Sequence, residues 1–302
     1  MAFKSGFIAV VGRPNAGKST LVNALVGRKV SIVSPKPQTT RNRIQGIVNR
    51  ENAQIVLIDT PGISKADSAL GRQMMQEAAQ SLESIDVLAL IVDAAQNFGP
   101  EDSRLLQWMG RYENPVYLLL NKIDRISKPR LLPLMDSYQK ARQFTEIFPI
   151  SALRGDGLED LEKSWIALLP EAPPYFPEDQ FTDQPERFLA AEFIREKAIL
   201  ATSQEVPHAV AVMVDRFEET PKLIRIHATI YVEREGQKGI LIGKDGSMLK
   251  KIGSEARVEL EKLLGGKVFL ELYVKVLANW RERPAIVRQL DWHQQLEQMT
   301  EE

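Results

Sequence analysis

Residues Gly12-Arg13-Pro14-Asn15-Ala16-Gly17-Lys18-Ser19 follow the spacing Gly-x-x-x-x-Gly-Lys-Ser, the P-loop pattern for gripping phosphate. Its glycines let backbone N–H groups approach phosphate oxygens. Lys18 carries positive charge to the terminal phosphates, and the Ser19 hydroxyl is placed to ligate Mg²⁺. Asp59-Thr60-Pro61-Gly62 follows the apolar run Ile55-Val56-Leu57-Ile58. Its aspartate suits a Mg²⁺-bound water opposite Ser19, and Gly62 offers a backbone N–H to a terminal phosphate. Asn121-Lys122-Ile123-Asp124 follows Val116-Tyr117-Leu118-Leu119-Leu120. A carboxylate at Asp124 accepts from guanine N1–H and the exocyclic amine, a donor pair that adenine lacks, so the wrong base leaves polar groups unpaired. Ser151-Ala152-Leu153 follows Ile147-Phe148-Pro149-Ile150 and can set a backbone N–H against guanine O6. Each short set alone also reads as an ordinary turn. Their order along one chain gives them weight.

Such side chains need elements that hold them at one edge. Phe7-Ile8-Ala9-Val10-Val11 reads as a buried strand and residues 18–26 as a helix, so the P-loop ends on a helix N-terminus that adds its own positive field. Val87-Leu88-Ala89-Leu90-Ile91-Val92 and the three runs already quoted read as further strands, with helical patterns near 70–84, 101–111, 130–142 and 157–168. The alternation predicts an α/β domain, a doubly wound and mostly parallel sheet. Ligands of such sheets lie beyond the carboxyl ends of the strands, where all four sets fall.

The bulk numbers set outer bounds. A chain of 302 residues, 44% apolar and 26% charged, reads as two soluble domains. It holds no apolar run near the roughly 18 residues of a membrane helix, and its N-terminus lacks a secretory apolar core. The absence of cysteine excludes disulfides and thiolate metal sites and fits a reducing cytosol. Net charge is −1, so an anionic polymer must be held by a local patch. Residues 171–185, with Pro170, Pro173, Pro174 and Pro177 nearby and four acidic side chains, read as a semi-rigid linker. They part a nucleotide-binding domain, 1–170, from a smaller α+β domain, 186–302, with a helical tail.

In that second domain a helix is expected from Glu192 to Ala201, an alternating strand over residues 223–232, a Gly-rich turn, a helix over 247–264 and a strand over 267–277. The turn holds Ile240-Leu241-Ile242-Gly243-Lys244-Asp245-Gly246-Ser247 and is followed by Lys250-Lys251. Gly243-Lys244-Asp245-Gly246 fits the Gly-x-x-Gly loop of a KH domain, which clamps about four nucleotides of single-stranded nucleic acid. It equally fits a plain turn. Lys238, Lys244, Lys250 and Lys251 against Asp245 give a local basic surplus, while Asp245 itself repels phosphate. The strand-strand-loop-helix-strand order resembles the type II KH fold.

The boxes of the first domain resemble those of the translation-factor-related GTPases. The two halves together resemble the Era family of bacterial GTPases. The likeness runs from Gly6 to about Arg288 and includes Pro37-Gln38-Thr39-Thr40-Arg41, Ile194-Arg195-Glu196-Lys197, Glu205-Val206-Pro207-His208, Val274-Lys275-Val276 and Asn279-Trp280-Arg281. It implies a GTP/GDP site made by Gly12, Asn15, Ala16, Gly17, Lys18, Ser19, Thr20, Asp59, Thr60, Pro61, Gly62, Asn121, Lys122, Asp124, Ser151, Ala152 and Leu153. It implies Mg²⁺ on Ser19, Thr40 and Asp59, and catalysis resting on Lys18, Thr40 and Gly62. RNA would lie on Ile242, Gly243, Lys244, Asp245, Gly246, Ser247, Lys250 and Lys251. The implied partners are the 3′ end of small-subunit ribosomal RNA and the 30S subunit, met by a cytoplasmic monomer with peripheral contact at the inner face of the membrane. Ser64-Lys65-Ala66 departs from the family's usual His-Lys-Pro, and residues 292–302 match poorly.

One position bears on rate. Related enzymes place a water-orienting glutamine after the Asp-x-x-Gly glycine; this chain has Ile63, which implies slow hydrolysis by the protein alone. Asn15 has two readings. Related GTPases with asparagine here bind K⁺ beside the phosphates, and asparagine also bonds its own turn. Ile63 leaves open an RNA-binding scaffold with a structural nucleotide site. A P-loop kinase or ATPase is opposed by Asp124.

Overall fold

The computed structural model describes residues 2–63, 67–110 and 112–289. Ser64-Lys65-Ala66 and the tail 292–302, singled out above, lie outside them. The chain forms two compact units, with the main break between Asp183 and Gln184.

The first unit is built on a six-stranded sheet in the order β2-β3-β1-β4-β5-β6. Its strands are β1 (Lys4–Val11), β2 (Ile44–Arg50), β3 (Ala53–Asp59), β4 (Val87–Asp93), β5 (Val116–Asn121) and β6 (Glu146–Pro149). All pairings are parallel except β2 with β3. Helices α1 (Lys18–Val26), α2 (Ala69–Gln80), α3 (Pro100–Met109), α4 (Leu131–Ala141) and α5 (Leu158–Leu168) alternate with them. β3 is buried along its whole length and β5 likewise, which is why these strands read as unbroken apolar runs. β2 escaped the sequence pattern because Gln45, Gly46 and Asn49 interrupt its apolar residues. It is an edge strand, joined to β3 by a tight turn.

Residues 171–183 do not stand free as a linker. Lys4 pairs with Glu171 and Gly46 with Thr182 in isolated bridges. The buried Gln54 side chain accepts from Tyr175 N at 2.7 Å and Phe176 N at 3.0 Å, and donates to Phe176 O at 2.8 Å. Asn49 donates to the Glu178 and Gln180 carbonyls, and the Tyr175 ring lies 4.7 Å from Phe7. Proline withdraws backbone donors from the segment. The sheet side takes up the Ala172, Tyr175 and Phe176 N–H groups.

The second unit carries a three-stranded sheet, β7-β8-β9, made of β7 (Ala211–Thr220), β8 (Leu223–Val232) and β9 (Val268–Val276), with α6 (Glu186–Leu200), α7 (Val206–Ala209), α8 (Glu235–Ile242), α9 (Ser247–Leu264) and α10 (Pro284–Gln289). β7 and β8 are antiparallel, β8 and β9 parallel. The expected Gly-rich turn is largely α8. Gln237 caps its start, accepting from Glu233 N at 2.9 Å and Arg234 N at 3.1 Å, and Leu241 is 0% exposed in the core. Gly236 and Gly239 mislead the eye: each costs about 1 kcal/mol in a helix, less than the cap and the buried leucine return. The Ile240-Leu241-Ile242 run therefore ends a helix and does not form part of an open loop.

Candidate functional site

The P-loop turns between β1 and α1. A Cβ on Gly17 (φ 104°) would stand 2.2 Å from Asn121 Nδ2, so only glycine fits there. Lys18 folds back over the loop, with Nζ donating to Gly12 O at 3.3 Å and Arg13 O at 3.2 Å. Burial lowers its pKa to about 8, against the pull of Asp59. The lysine is thus partly desolvated and poised to regain favourable charge contact when phosphate arrives.

Ser19, Thr40 and Asp59 converge next to it. Ser19 Oγ donates to Asp59 Oδ2 at 2.7 Å and lies 2.8 Å from Thr40 Oγ1. Ser31 Oγ also donates to Oδ2, at 2.7 Å. Asp59 Oδ1 is buried with no hydrogen-bond partner among the described residues. Burial pushes this carboxyl above the usual carboxylate range, while Lys18 and the three hydroxyls pull it back. Two hydroxyls and a buried carboxylate with one orphaned oxygen form an all-oxygen donor set that fits a hard divalent cation. Ser31 is a participant the sequence did not reveal; its place depends on Asn23 of α1, whose side chain accepts from Val30 N and Ser31 N, both at 2.9 Å.

Gly62 is packed against Pro14, where an added Cβ would lie 3.1 Å from the proline. Thr60 Oγ1 donates to Val10 O at 2.8 Å. The next side chain, Ile63, is partly buried against the apolar core around Leu90 and Leu118.

The base end is joined to the loop by side chains. Asn121 Nδ2 donates to Ala16 O at 2.8 Å while its Oδ1 accepts from Ala152 N at 2.9 Å. Lys122 Nζ donates to Asn15 O at 2.6 Å and pairs with Asp93 at 2.7 Å. Ser151 Oγ donates to Asp124 Oδ1 at 2.7 Å, and this bond chiefly holds the Asp124 carboxyl below its ordinary range. Leu153 projects into solvent, and Thr20 continues the first turn of α1. Asn15 adopts φ 62°, the turn-forming geometry that asparagine tolerates. The sequence did not show Arg13 turned away from the phosphate side onto Asp102 and Glu101 of α3. Nor did it show Asp93 holding Lys122. Both depend on tertiary pairing.

In the second unit Gly243 (φ 72°), Asp245 (φ 52°) and Gly246 (φ 75°) form the loop between α8 and α9. A Cβ on Gly243 would sit 2.7 Å from Met248 Cβ, whereas Gly246 faces open space. Lys244, Asp245, Ser247, Lys250 and Lys251 are exposed and Ile242 is partly so. Backbone N–H groups at the start of α9 thus open to solvent among lysines, a setting for phosphate.

A family model described as "50S ribosome-binding GTPase" matches residues 7–122, and one described as "KH domain" matches residues 205–281. The chain is 50% identical over 294 residues to GTPase Era of Syntrophus aciditrophicus, covering 97% of this chain and 96% of that one. The chain belongs to the Era family of GTPases. Era of Ruminiclostridium cellulolyticum is 48% identical, with 97% and 98% covered. Among solved structures, Era in complex with MgGDPNP and nucleotides 1506–1542 of 16S ribosomal RNA matches with a TM-score of 0.92 at 46% identity, covering 96% of this chain and 99% of that one. A variant of Aquifex aeolicus Era bound to GDP and aluminium fluoride matches with a TM-score of 0.93, the same identity and the same coverage. Membership in the Era family makes the first unit a GTPase domain and the second a KH domain.

Proposed function

We propose that this Era-family GTPase is a slow GTP-driven switch that binds the 3′ end of small-subunit ribosomal RNA through its KH domain and assists assembly of the 30S subunit. The observation that carries the reading is the likeness, over 96% of the chain, to an Era structure holding both MgGDPNP and a 16S ribosomal RNA fragment. In this reading Asp124 accepts from the guanine edge, and a backbone N–H of the Ser151-Ala152-Leu153 turn, beside the Ala152 N–H that Asn121 Oδ1 already takes, faces O6. Lys18 and the P-loop N–H groups hold the phosphates. Ser19, Thr40 and Asp59 would hold Mg²⁺, which supplies positive charge to the phosphate oxygens. The Gly62 N–H meets the terminal phosphate and loses that partner on hydrolysis, which releases the switch. Ile63, packed on the core, has no polar atom to orient the attacking water, so turnover waits for help from RNA or the ribosome. Gly243, Lys244, Gly246, Ser247, Lys250 and Lys251 take the RNA backbone, with Ile242 and Asp245 at the rim.

Asn15 enters as a ligand of a K⁺ ion beside the phosphates; equal turnover in K⁺ and Na⁺ buffers removes this part. Among the described residues no helix is long and apolar enough to cross a membrane. The family resemblance carries the remaining expectations, a cytoplasmic monomer with peripheral membrane contact.

Single-turnover GTP hydrolysis titrated with oligonucleotides from the small-subunit RNA 3′ end tests the switch. A rise in rate of tenfold or more is expected. Bound GTP that persists unhydrolysed with RNA present favours the second reading, a scaffold with a structural nucleotide, for which Ile63 is the supporting observation.

A further inference from the structure

One face of the second unit's sheet has no role in that account. Ile224, Ile226, Ala228 and Ile230 of β8 are buried on the helix side, and Leu272 of β9 lies beside Gly253 of α9. Side chains alternate along a strand. Phe269, Glu271, Tyr273 and Lys275 of β9 therefore share the opposite face with Arg225, His227, Thr229 and Tyr231, their register partners on β8. Phe269 and Tyr273 are each 48% exposed. They stand about 13 Å apart along the strand, far enough to take separate bases.

The charges on this face are sorted. Glu218 pairs with Arg216. Glu271 lies 2.7 Å from His227 Nδ1. Asp215 accepts from Thr229 Oγ1 at 2.7 Å. Each carboxylate is engaged within the face, whereas Arg225 beside Phe269 and Lys275 beside Tyr231 form no ion pair among the described residues. Exposed rings flanked by unpaired cations are the chemistry of a single-stranded nucleic acid platform: bases stack on the rings and phosphates meet the cations. A protein-binding patch has an apolar centre depleted of charge; here a carboxylate separates the two rings. β9 also packs by its other face on both α8 and α9, the helices that carry the Gly243–Gly246 loop.

We propose that the outer face of β8 and β9 is a second contact for single-stranded RNA, with Phe269 and Tyr273 as stacking surfaces and Arg225 and Lys275 as phosphate partners. The proposal rests on the RNA-binding reading above.

Fluorescence anisotropy of the full chain with an unstructured tetranucleotide, which the loop alone can hold, and a dodecanucleotide tests it. The double variant Phe269→Ala/Tyr273→Ala should bind the tetranucleotide as the parent does and lose tenfold or more on the dodecanucleotide. Tyr273→Phe, which keeps the ring, should bind both like the parent. Arg225→Ala and Lys275→Ala should each lower the salt slope of dodecanucleotide binding by about one; these exposed changes decide the matter should the double variant lose its fold. Dodecanucleotide affinity and salt slope unchanged in all variants overturn the platform and leave the face to a protein partner. A parent chain that binds neither RNA overturns the RNA-binding reading itself, a separate result.

Discussion

At the scale of single residues the nucleotide site is governed by what burial does to charge. Lys18 gives up water for two backbone carbonyls, and its pKa falls to about 8. Removing a buried cation relieves desolvation as it breaks bonds. Asp59, however, then keeps its buried carboxyl without the cation that pulls its pKa down, so Lys18→Ala should lower the stability of the nucleotide-free protein. It should weaken GTP binding by about a hundredfold or more, since charged hydrogen bonds contribute roughly 1.5–3 kcal/mol each. Thermal melting and nucleotide titration read the two effects apart, and parental affinity in the variant would contradict the P-loop assignment. Asp124 is the opposite case, a carboxylate kept ionised by a hydroxyl. Asp124→Asn exchanges an acceptor pair for one acceptor and one donor, which should lower GTP affinity by about a hundredfold and raise the affinity for xanthosine triphosphate. Competition of labelled GTP by each nucleotide measures this, and an unaltered preference for GTP would remove Asp124 from the base pocket.

At the scale of elements, position in the sheet decided what the sequence could reveal. β3, β4 and β5 are central and buried on both faces, so Ile55–Ile58, Val87–Val92 and Val116–Leu120 announce themselves, and the polar residues that end them mark the site. β2 is an edge strand with mixed polarity, and α8 holds two glycines. Neither is visible until the partner that stabilises it is known, β3 for one and the core beneath Leu241 for the other. The 171–183 segment is the same lesson in reverse: its prolines spoke for a linker, yet Gln54 supplies what the segment lacks. Gln54→Ala strands the Tyr175 and Phe176 N–H groups and the Phe176 carbonyl. It should cost about 2–4 kcal/mol, from the usual 1–3 kcal/mol per stranded buried group less recovery by water. Limited proteolysis followed by mass spectrometry should find new cleavage between 171 and 183; a variant as resistant as the parent would show that the strap is held by other contacts.

At the scale of the whole molecule the proposed function gives the chain two phosphate cradles built on one principle. Each uses glycine to open a path for backbone N–H groups and a helix start to orient them, Gly12–Ser19 in one unit and Gly243–Ser247 in the other. Their surroundings differ. The first is bridged by side chains from β5 and from the loop holding Thr40, and its Lys18 and Asp59 are buried, which suits chemistry. The second faces solvent, which suits a long polymer that must come and go. Gly246 separates these roles. Its φ of 75° lies where aspartate is tolerated better than most residues, and the space around it is open. Gly246→Asp should therefore still fold, at a backbone cost of about 1–2 kcal/mol, while placing a carboxylate on the loop assigned to the phosphodiester chain. RNA affinity should fall by about tenfold, the effect of roughly 1.4 kcal/mol of repulsion, and the loss should shrink as salt screens the added charge. GTP turnover without RNA should match the parent, and stimulation by RNA should reach the parent's level only at higher RNA concentration. If turnover without RNA falls along with RNA binding, the second cradle supports the first even when empty, and the two units do not work as separable parts.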